Sequence, residues 1–160
     1  QMAKTLNYLT EHGLLEYAAL EEQTEAATVQ YRQLSDQLKA IEKRMADLSA
    51  MRTQILNYIK TRDTYVAYRK AGYSKKFLAA HEGDLTLHRA AKKFFDDQGL
   101  AKLPTIKKIQ AEYAALQAEK KAVYPEFHEA CTQMRELLIV KANVDRLLDR
   151  QELARDDRER

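Results

Sequence analysis

Cations and aromatic side chains interleave in the middle of this 160-residue chain, where their types suit contact with a polyanion. Lysine and arginine neutralise phosphates, and tyrosine rings stack on unpaired bases. We therefore predict a nucleic-acid-binding surface. Its candidate residues are Arg62, Tyr68, Arg69, Lys70, Tyr73, Lys75, Lys76, Arg89, Lys92 and Lys93.

The charge of the chain is concentrated in this same stretch. Residues 60–108, the basic segment, carry 12 basic and 5 acidic side chains, a net charge of +7. Residues 1–59 carry 6 basic and 8 acidic side chains, and residues 109–160 carry 9 and 11. The overall charge of +3 therefore conceals a cationic patch between two slightly acidic flanks, and DNA is the partner that such a patch favours.

Two other interpretations of the basic segment stay open. Tyr65 and Phe77 could pack its helices together while the lysines only keep the surface solvated. Alternatively, the whole segment could dock against a protein.

Side chains suited to metal binding or catalysis are sparse elsewhere. His81, Asp84 and His88 could share a helix face, but they lack the tight histidine pair and fourth ligand of a zinc site, so we expect solvated surface histidines. His128 and Cys131 lie one turn apart without a third group to position them. We expect Cys131 to be buried or half-buried beside the seam, and we predict no cofactor, no metal, no small-molecule substrate and no enzyme activity in this chain.

Two apolar repeats with steps of three and four residues must position the basic segment. Such steps average 3.5 residues, the period that keeps one seam of a helix against a partner helix. The first repeat is Tyr17, Leu20, Thr24, Ala27, Tyr31, Leu34, Leu38, Ile41, Met45, Leu48, Arg52, Ile55, Ile59, Arg62 and Val66. The second is Ile106, Ile109, Tyr113, Leu116, Lys120, Val123, Phe127, Ala130, Met134, Leu137, Lys141, Val144 and Leu148.

These repeats predict an all-α fold, a long antiparallel two-helix coiled-coil hairpin with a small helical cap at its tip. Residues 1–13 are expected to form a short helix closed by Gly13, residues 14–71 the first arm, and residues 105–149 the return arm. The tip, residues 72–104, should begin a helix after Ser74 and break near Gly83. The charged residues 150–160 predict a disordered tail.

Charged residues and a proline interrupt the two seams. Arg52, Arg62, Lys120 and Lys141 either cover the seam with their aliphatic stems, or set the register by pairing with a carboxylate across it. Pro125 predicts a bend in the return arm.

Composition limits the cellular setting. No run of about 18 apolar residues occurs, so we expect no membrane-spanning helix, and the N-terminus lacks the apolar core of a secretion signal. The single cysteine favours the cytoplasm. A first residue of Gln rather than Met suggests a fragment of a longer protein.

Four blocks of sequence resemble one protein family. They are residues 1–17 (QMAKTLNYLTEHGLLEY), residues 61–77 (TRDTYVAYRKAGYSKKF), Leu103-Pro104-Thr105 with residues 111–116 (AEYAAL), and residues 141–148 (KANVDRLL). Together they resemble the C-terminal helical region of relaxases, the mobilisation nucleases of conjugative transposons. The block from Thr61 to Phe77 is the most specific of the four.

The resemblance implies a non-catalytic module that assists DNA binding or relaxosome assembly during mobilisation. Such relaxases cut DNA with an N-terminal domain that has a histidine metal motif and a tyrosine nucleophile, and no residue here matches either. The implied partners are DNA, relaxosome proteins or the parent nuclease domain, and a second copy in a homodimer. The alternative is a purely structural or oligomerising spacer that uses Leu56, Tyr58, Leu138 and Ile139 as extra apolar surface.

Overall fold

The computed structural model describes the backbone of residues 2–159 and the side chains of residues 16–150, 154 and 155. It divides into two compact units. The first unit is Gln1–Lys39 with Lys121–Arg160, and the second unit is Ala40–Lys120. Over the described residues the chain is helical and contains no strand, which confirms the predicted fold class at that level.

Four helices make up the described chain: α1 is Met2–Lys70, α2 is Lys75–Ala80, α3 is Glu82–Asp97 and α4 is Ile106–Glu159. Because α1 continues through Gly13, the prediction of a separate helix over residues 1–13 is wrong. A glycine inside a helix costs only about 0.5–1 kcal/mol, which a long helix tolerates. None of these helices, over the residues described, is long and apolar enough to cross a membrane.

The predicted disordered tail is also corrected, since α4 continues to Glu159. α4 also runs through Pro125 as one helix. The bend expected there stays a prediction.

In the first unit, α1 and α4 pack through a narrow core of small residues. Thr24, Ala27 and Ala130 are buried, and the rings of Tyr31 and Phe127 stack with centroids 5.5 Å apart. The Thr24 hydroxyl donates to the Leu20 carbonyl at 2.6 Å, so its burial leaves no unpaired donor. Small side chains let two helices lie close together, and the stacked rings occupy the wider space.

In the second unit, α3 and the start of α4 pack against α1 around larger side chains. The buried cluster is Leu48, Ile55, Ala91, Phe95 and Ile109. Each large apolar side chain buried in this way contributes roughly 1.5–3 kcal/mol relative to exposure. This cluster fixes the helices that carry the basic segment.

Beyond Ile55, the buried face of α1 differs from the predicted one. The predicted seam passes through Ile59, Arg62 and Val66, but Ile59 is 60% exposed and Arg62 is also exposed. Thr61 and Tyr68 are buried instead. The buried stripe advances by three residues rather than four after Ile55, because α1 meets α3 there.

Two glycines in the left-handed conformation end α1 and α3 in the same way. Gly72 has φ +64°, and Tyr73 N donates to the Tyr68 carbonyl at 3.1 Å; Gly99 has φ +63°, and Leu100 N donates to the Phe95 carbonyl at 3.1 Å. This six-to-one pattern is the Schellman motif. The expected stop at Gly72 is thus confirmed.

Hydroxyl groups cap the helices that follow. Phe77 N donates to Ser74 Oγ at 3.4 Å, which confirms the predicted cap of α2. The break between α2 and α3 falls at His81, two residues before the predicted Gly83. Lys108 N donates to Thr105 Oγ1 at 3.2 Å, so Thr105 caps α4, directly after Pro104.

The cations within the seams separate into two classes. Lys120 pairs with Glu42 at 2.7 Å and Lys141 pairs with Glu21 at 3.6 Å, so the lysines of α4 meet carboxylates of α1. Arg52 and Arg62 are exposed. Of the two alternatives, pairing across the seam therefore describes the lysines.

Candidate nucleic-acid interface

The predicted interface residues all lie in the second unit, on three consecutive helices and one turn. Arg62, Arg69 and Lys70 are on the last part of α1, with the latter two in its final turn, where the carbonyl ends favour cations. Tyr73 lies in the turn and Lys75 and Lys76 begin α2. Arg89, Lys92 and Lys93 follow on α3.

The eight cations of this set share one property: each is exposed and none forms an ion pair with a carboxylate whose side chain is described. They are Arg62, Arg69, Lys70, Lys75, Lys76, Arg89, Lys92 and Lys93. The ion pairs found among the described side chains lie outside the basic segment. Direct ion pairs among the described side chains therefore do not neutralise these cations, and the net charge of +7 on the segment favours a polyanion.

Tyr68 is the candidate residue that the structure withdraws from the surface. It is 6% exposed, with the rings of Tyr73 and Phe77 at 5.3 and 6.0 Å and the Arg89 guanidinium 5.9 Å from its centroid. Because its faces are used within the protein, Tyr68 cannot stack on a base. Direct contact of Tyr68 with nucleic acid stays a prediction, and within the protein its ring supports Tyr73 and Phe77.

Tyr73 has the opposite character. Its side chain is 54% exposed, and its backbone has φ +58°, a conformation that bulky residues rarely adopt. Its amide is held by the Tyr68 carbonyl, and its ring meets the Tyr68 ring at an interplanar angle of 84°. The turn therefore presents an exposed aromatic ring that Tyr68 holds in place, between Lys70 and Lys75 in the sequence.

His88, which precedes Arg89 on α3, is buried rather than exposed. It was expected at the surface, but it is 3% exposed and lies between the rings of Tyr58 and Tyr65, at 4.8 and 4.3 Å. Its Nδ1 is 3.1 Å from Thr61 Oγ1. The stack joins α3 to α1.

Hydrogen bonding defines the tautomer of His88. The Thr61 hydroxyl donates its one proton to the Asn57 carbonyl at 2.7 Å, so at Nδ1 the hydroxyl oxygen must accept. In this arrangement Nδ1 of His88 carries a proton and donates it to Thr61 Oγ1. Burial, and secondarily the charge of Lys92, lowers the pKa of His88 below its usual value near 6.5.

A readable signal for His88 existed in the sequence. Leu85, His88, Ala91 and Phe95 follow steps of three, three and four, and all four are buried on α3. The burial of Thr61, and of its half-buried neighbours Tyr58 and Tyr65, follows the same spacing on α1. Two stripes with this spacing predict that α3 packs on α1 through these residues. The apolar repeat of the first arm instead predicts Ile59 and Arg62 at the buried face of α1.

The remaining chemical candidates do not assemble. Among the described side chains, no three His, Cys, Asp or Glu residues are grouped so as to hold a metal ion. His81 contacts the ring of Phe77 at 4.4 Å, and Asp84 accepts a hydrogen bond from Thr64 at 3.3 Å. Cys131 is half-buried, as expected.

The rings of Tyr65 and Phe77 stack within the protein, on His88 and Tyr68 respectively. These contacts confirm the packing role considered for the two residues.

Comparison with known proteins found no matching family model, no matching curated protein and no matching solved structure.

Proposed function

We propose that this chain is a non-catalytic helical module of a conjugative relaxase, and that its basic segment binds DNA during mobilisation or relaxosome assembly. One observation carries the proposal: eight exposed cations on adjoining elements of the second unit lack a carboxylate partner among the described side chains. The likeness of residues 61–77 to relaxase C-terminal regions supports the biological setting.

The support of this surface is, in the proposal, an antiparallel coiled coil of α1 and α4. Within the first unit, Tyr17 bonds to Asp145 and Tyr31 stacks on Phe127, so positions along α4 fall as those along α1 rise. In the second unit, Glu42 pairs with Lys120 and Arg44 with Glu112. A pair of helices in this order would supply a stiff mount for a binding surface.

DNA affinity should show the signature of counterion release. A protein that neutralises phosphates loses affinity linearly on a log–log plot against salt, with a slope near −0.9 per phosphate on duplex DNA and −0.7 on single strands. About four contacted phosphates would give slopes near −3.6 and −2.8. Fluorescence anisotropy with labelled oligonucleotides over a salt series measures both.

Charge reversal locates the contact. Replacing Arg69, Lys70, Lys75 and Lys76 with Glu should reduce affinity by at least about tenfold at low salt and flatten the salt slope. A matched control replaces four exposed cations outside the basic segment, Arg32, Lys43, Lys121 and Arg135, with Glu. Both variants undergo the same change in net charge, so equal losses of affinity would remove the basic segment from the mechanism.

The alternative function is an oligomerising or structural spacer, which exposed apolar residues on α4 favour. Leu138, Ile139 and Val140 are consecutive and 44%, 62% and 47% exposed, and Leu56 on α1 is 43% exposed. Tyr58, considered for this role, is packed against the buried cluster of the second unit. Sedimentation over a concentration series distinguishes the two functions: self-association without DNA affinity would favour the spacer.

A further inference from the structure

We propose that Tyr73 is a base-stacking platform that makes the basic segment selective for single-stranded nucleic acid, an inference that rests on the proposed function. Tyr73 combines an exposed ring, a strained backbone and neighbouring cations that have no carboxylate partner among the described side chains. Each feature has a separate physical consequence for binding.

The backbone conformation of Tyr73 is the first feature. In the Schellman motif Gly72 supplies the left-handed residue that ends α1, yet Tyr73 also has positive φ. For a residue with a Cβ atom, this conformation costs roughly 1–2 kcal/mol. Residues held in such conformations concentrate at binding sites, where the surrounding structure fixes them.

Tyr68 holds the backbone and the ring of Tyr73 in place. The Tyr73 amide donates to the Tyr68 carbonyl at 3.1 Å, and the two rings meet nearly perpendicularly with centroids 5.3 Å apart. A perpendicular contact covers at most one face of the Tyr73 ring. No other ring contact of Tyr73 occurs among the described side chains, so at least one face is free of aromatic neighbours.

Cations flank Tyr73 in the sequence, and one further cation contacts the Tyr68 ring that Tyr73 also contacts. Lys70 precedes the turn, Lys75 and Lys76 follow it, and the Arg89 guanidinium lies over the same Tyr68 ring that Tyr73 contacts. A strand whose phosphates are neutralised by these groups would bring its bases to the Tyr73 ring. A ring already held in place loses little conformational entropy when it stacks.

Stacking requires an accessible base face, which explains the predicted selectivity. In a duplex each base face is covered by its neighbours, whereas the bases of a single strand can turn onto a protein ring. Charge alone would bind either form. The aromatic platform therefore adds affinity only where a base is unpaired.

The test compares Tyr73→Phe and Tyr73→Gly with the wild-type chain. Phenylalanine keeps the ring face, whereas glycine removes it and relieves the positive φ, so that loss of binding cannot be ascribed to new backbone strain. Tyr124→Leu is the matched control, because Tyr124 is 55% exposed on α4 outside the basic segment. Helix content by circular dichroism checks that every variant is folded.

Affinity is measured with a single-stranded oligonucleotide and with the duplex of the same sequence, at equal salt. Tyr73→Gly should weaken single-strand binding about tenfold and leave duplex binding almost unchanged, while Tyr73→Phe and Tyr124→Leu stay close to wild type. A 2-aminopurine base in the single strand should be quenched by wild type and not by Tyr73→Gly. The quenching reports ring contact, which a purely structural role would not produce.

The outcomes separate this inference from the proposed function. Equal affinity for both forms, with no effect of Tyr73→Gly, would overturn the stacking platform and leave charge-based DNA binding intact. Stronger duplex binding that Tyr73→Gly abolishes would also overturn it, because the ring would then act as a wedge between base pairs. No binding to either form by the wild-type chain would refute both proposals.

Discussion

The first unit and the basic segment of the second unit use charge in opposite ways. In the first unit, Lys141 Nζ donates to Tyr17 at 3.1 Å and to Asp145 at 3.2 Å, and it lies 3.6 Å from Glu21. In the basic segment, eight exposed cations have no carboxylate partner among the described side chains. In the first unit, charged contacts connect α1 to α4. In the basic segment, the cations remain available to bind a ligand.

The cores of the two regions explain why they differ. Among its described side chains, the first unit buries Leu38 and Val123 and three smaller residues, Thr24, Ala27 and Ala130. Because the small residues bury little apolar surface, polar pairs add to the contact between the helices. The helices of the basic segment bury Leu85, Phe95 and the stacked His88. Because aliphatic and aromatic burial holds these helices together, their surface cations need no structural partner.

Removing a core side chain of the basic segment should have the largest effect. Leu85 is fully buried, so Leu85→Ala should lower the free energy of unfolding by about 3 kcal/mol through lost burial and the cavity left behind. Urea denaturation followed by circular dichroism measures the loss. Leu87→Ala is the control on the same helix, since Leu87 is 40% exposed and its truncation should cost less than about 0.5 kcal/mol. Similar losses for both would contradict the described core of α3.

The sequence predicted the helical class and the turns in the middle of the chain, but it did not predict the outer ends of α1 and α4 or the contact between α1 and α3. Three-four repeats and turn residues predicted the all-helical class, the stop at Gly72 and the cap at Ser74, all of which are confirmed. A repeat identifies which residues could be buried only when the partner is known. Because the first-arm repeat assumed α4 as the partner throughout, it placed Ile59 at the seam and left His88 at the surface.

The candidate site was likewise predictable only in part. Lysine and arginine are usually exposed because their charges are costly to bury. Residue type therefore predicted their position, and the eight predicted cations are exposed. Tyrosine is amphipathic, so type does not decide its position: Tyr68 is buried and Tyr73 is exposed. The positive φ of Tyr73 depends on the turn after Gly72 and has no signal in composition.

His88 makes the stability of the second unit dependent on pH. Its pKa is lowered in the folded state, so the folded chain binds fewer protons than the unfolded chain as pH falls through about 6.5. Stability should thus be fully present above that value and decline below it, by at most about 1.4 kcal/mol per pH unit. Urea midpoints from pH 7.5 to 5 measure this decline.

Replacing His88 with Gln should flatten that pH dependence between 7.5 and 5, although Gln fills the stack poorly and lowers stability at every pH. The control is His128→Gln, because His128 is exposed on α4. If stability declines with pH in His88→Gln as it does in wild type, groups other than His88 cause the decline. His88 would then not be the pH-sensitive contact between α1 and α3.

The smallest effect is expected from the charge network of the first unit. Tyr17 donates to Asp145, which raises the pKa of Tyr17 and, together with the Lys141 contact, lowers the pKa of Asp145. Hydrogen bonding to Tyr17 and Asp145 raises the pKa of Lys141. Lys141→Met keeps the aliphatic stem and removes the charge, so stability should fall by less than in Leu85→Ala.

Salt decides whether charge is the cause of that loss. The screening length shortens from about 10 Å at 0.1 M to about 3 Å at 1 M, so the stability difference between wild type and Lys141→Met should shrink over this range. Arg146→Met, at an exposed cation of the same helix, is the control and should change little at either concentration. A loss in Lys141→Met that is independent of salt would mean that the stem, rather than the ammonium group, joins α4 to α1. The contrast between paired charge in the first unit and available charge in the basic segment would then lose its physical basis.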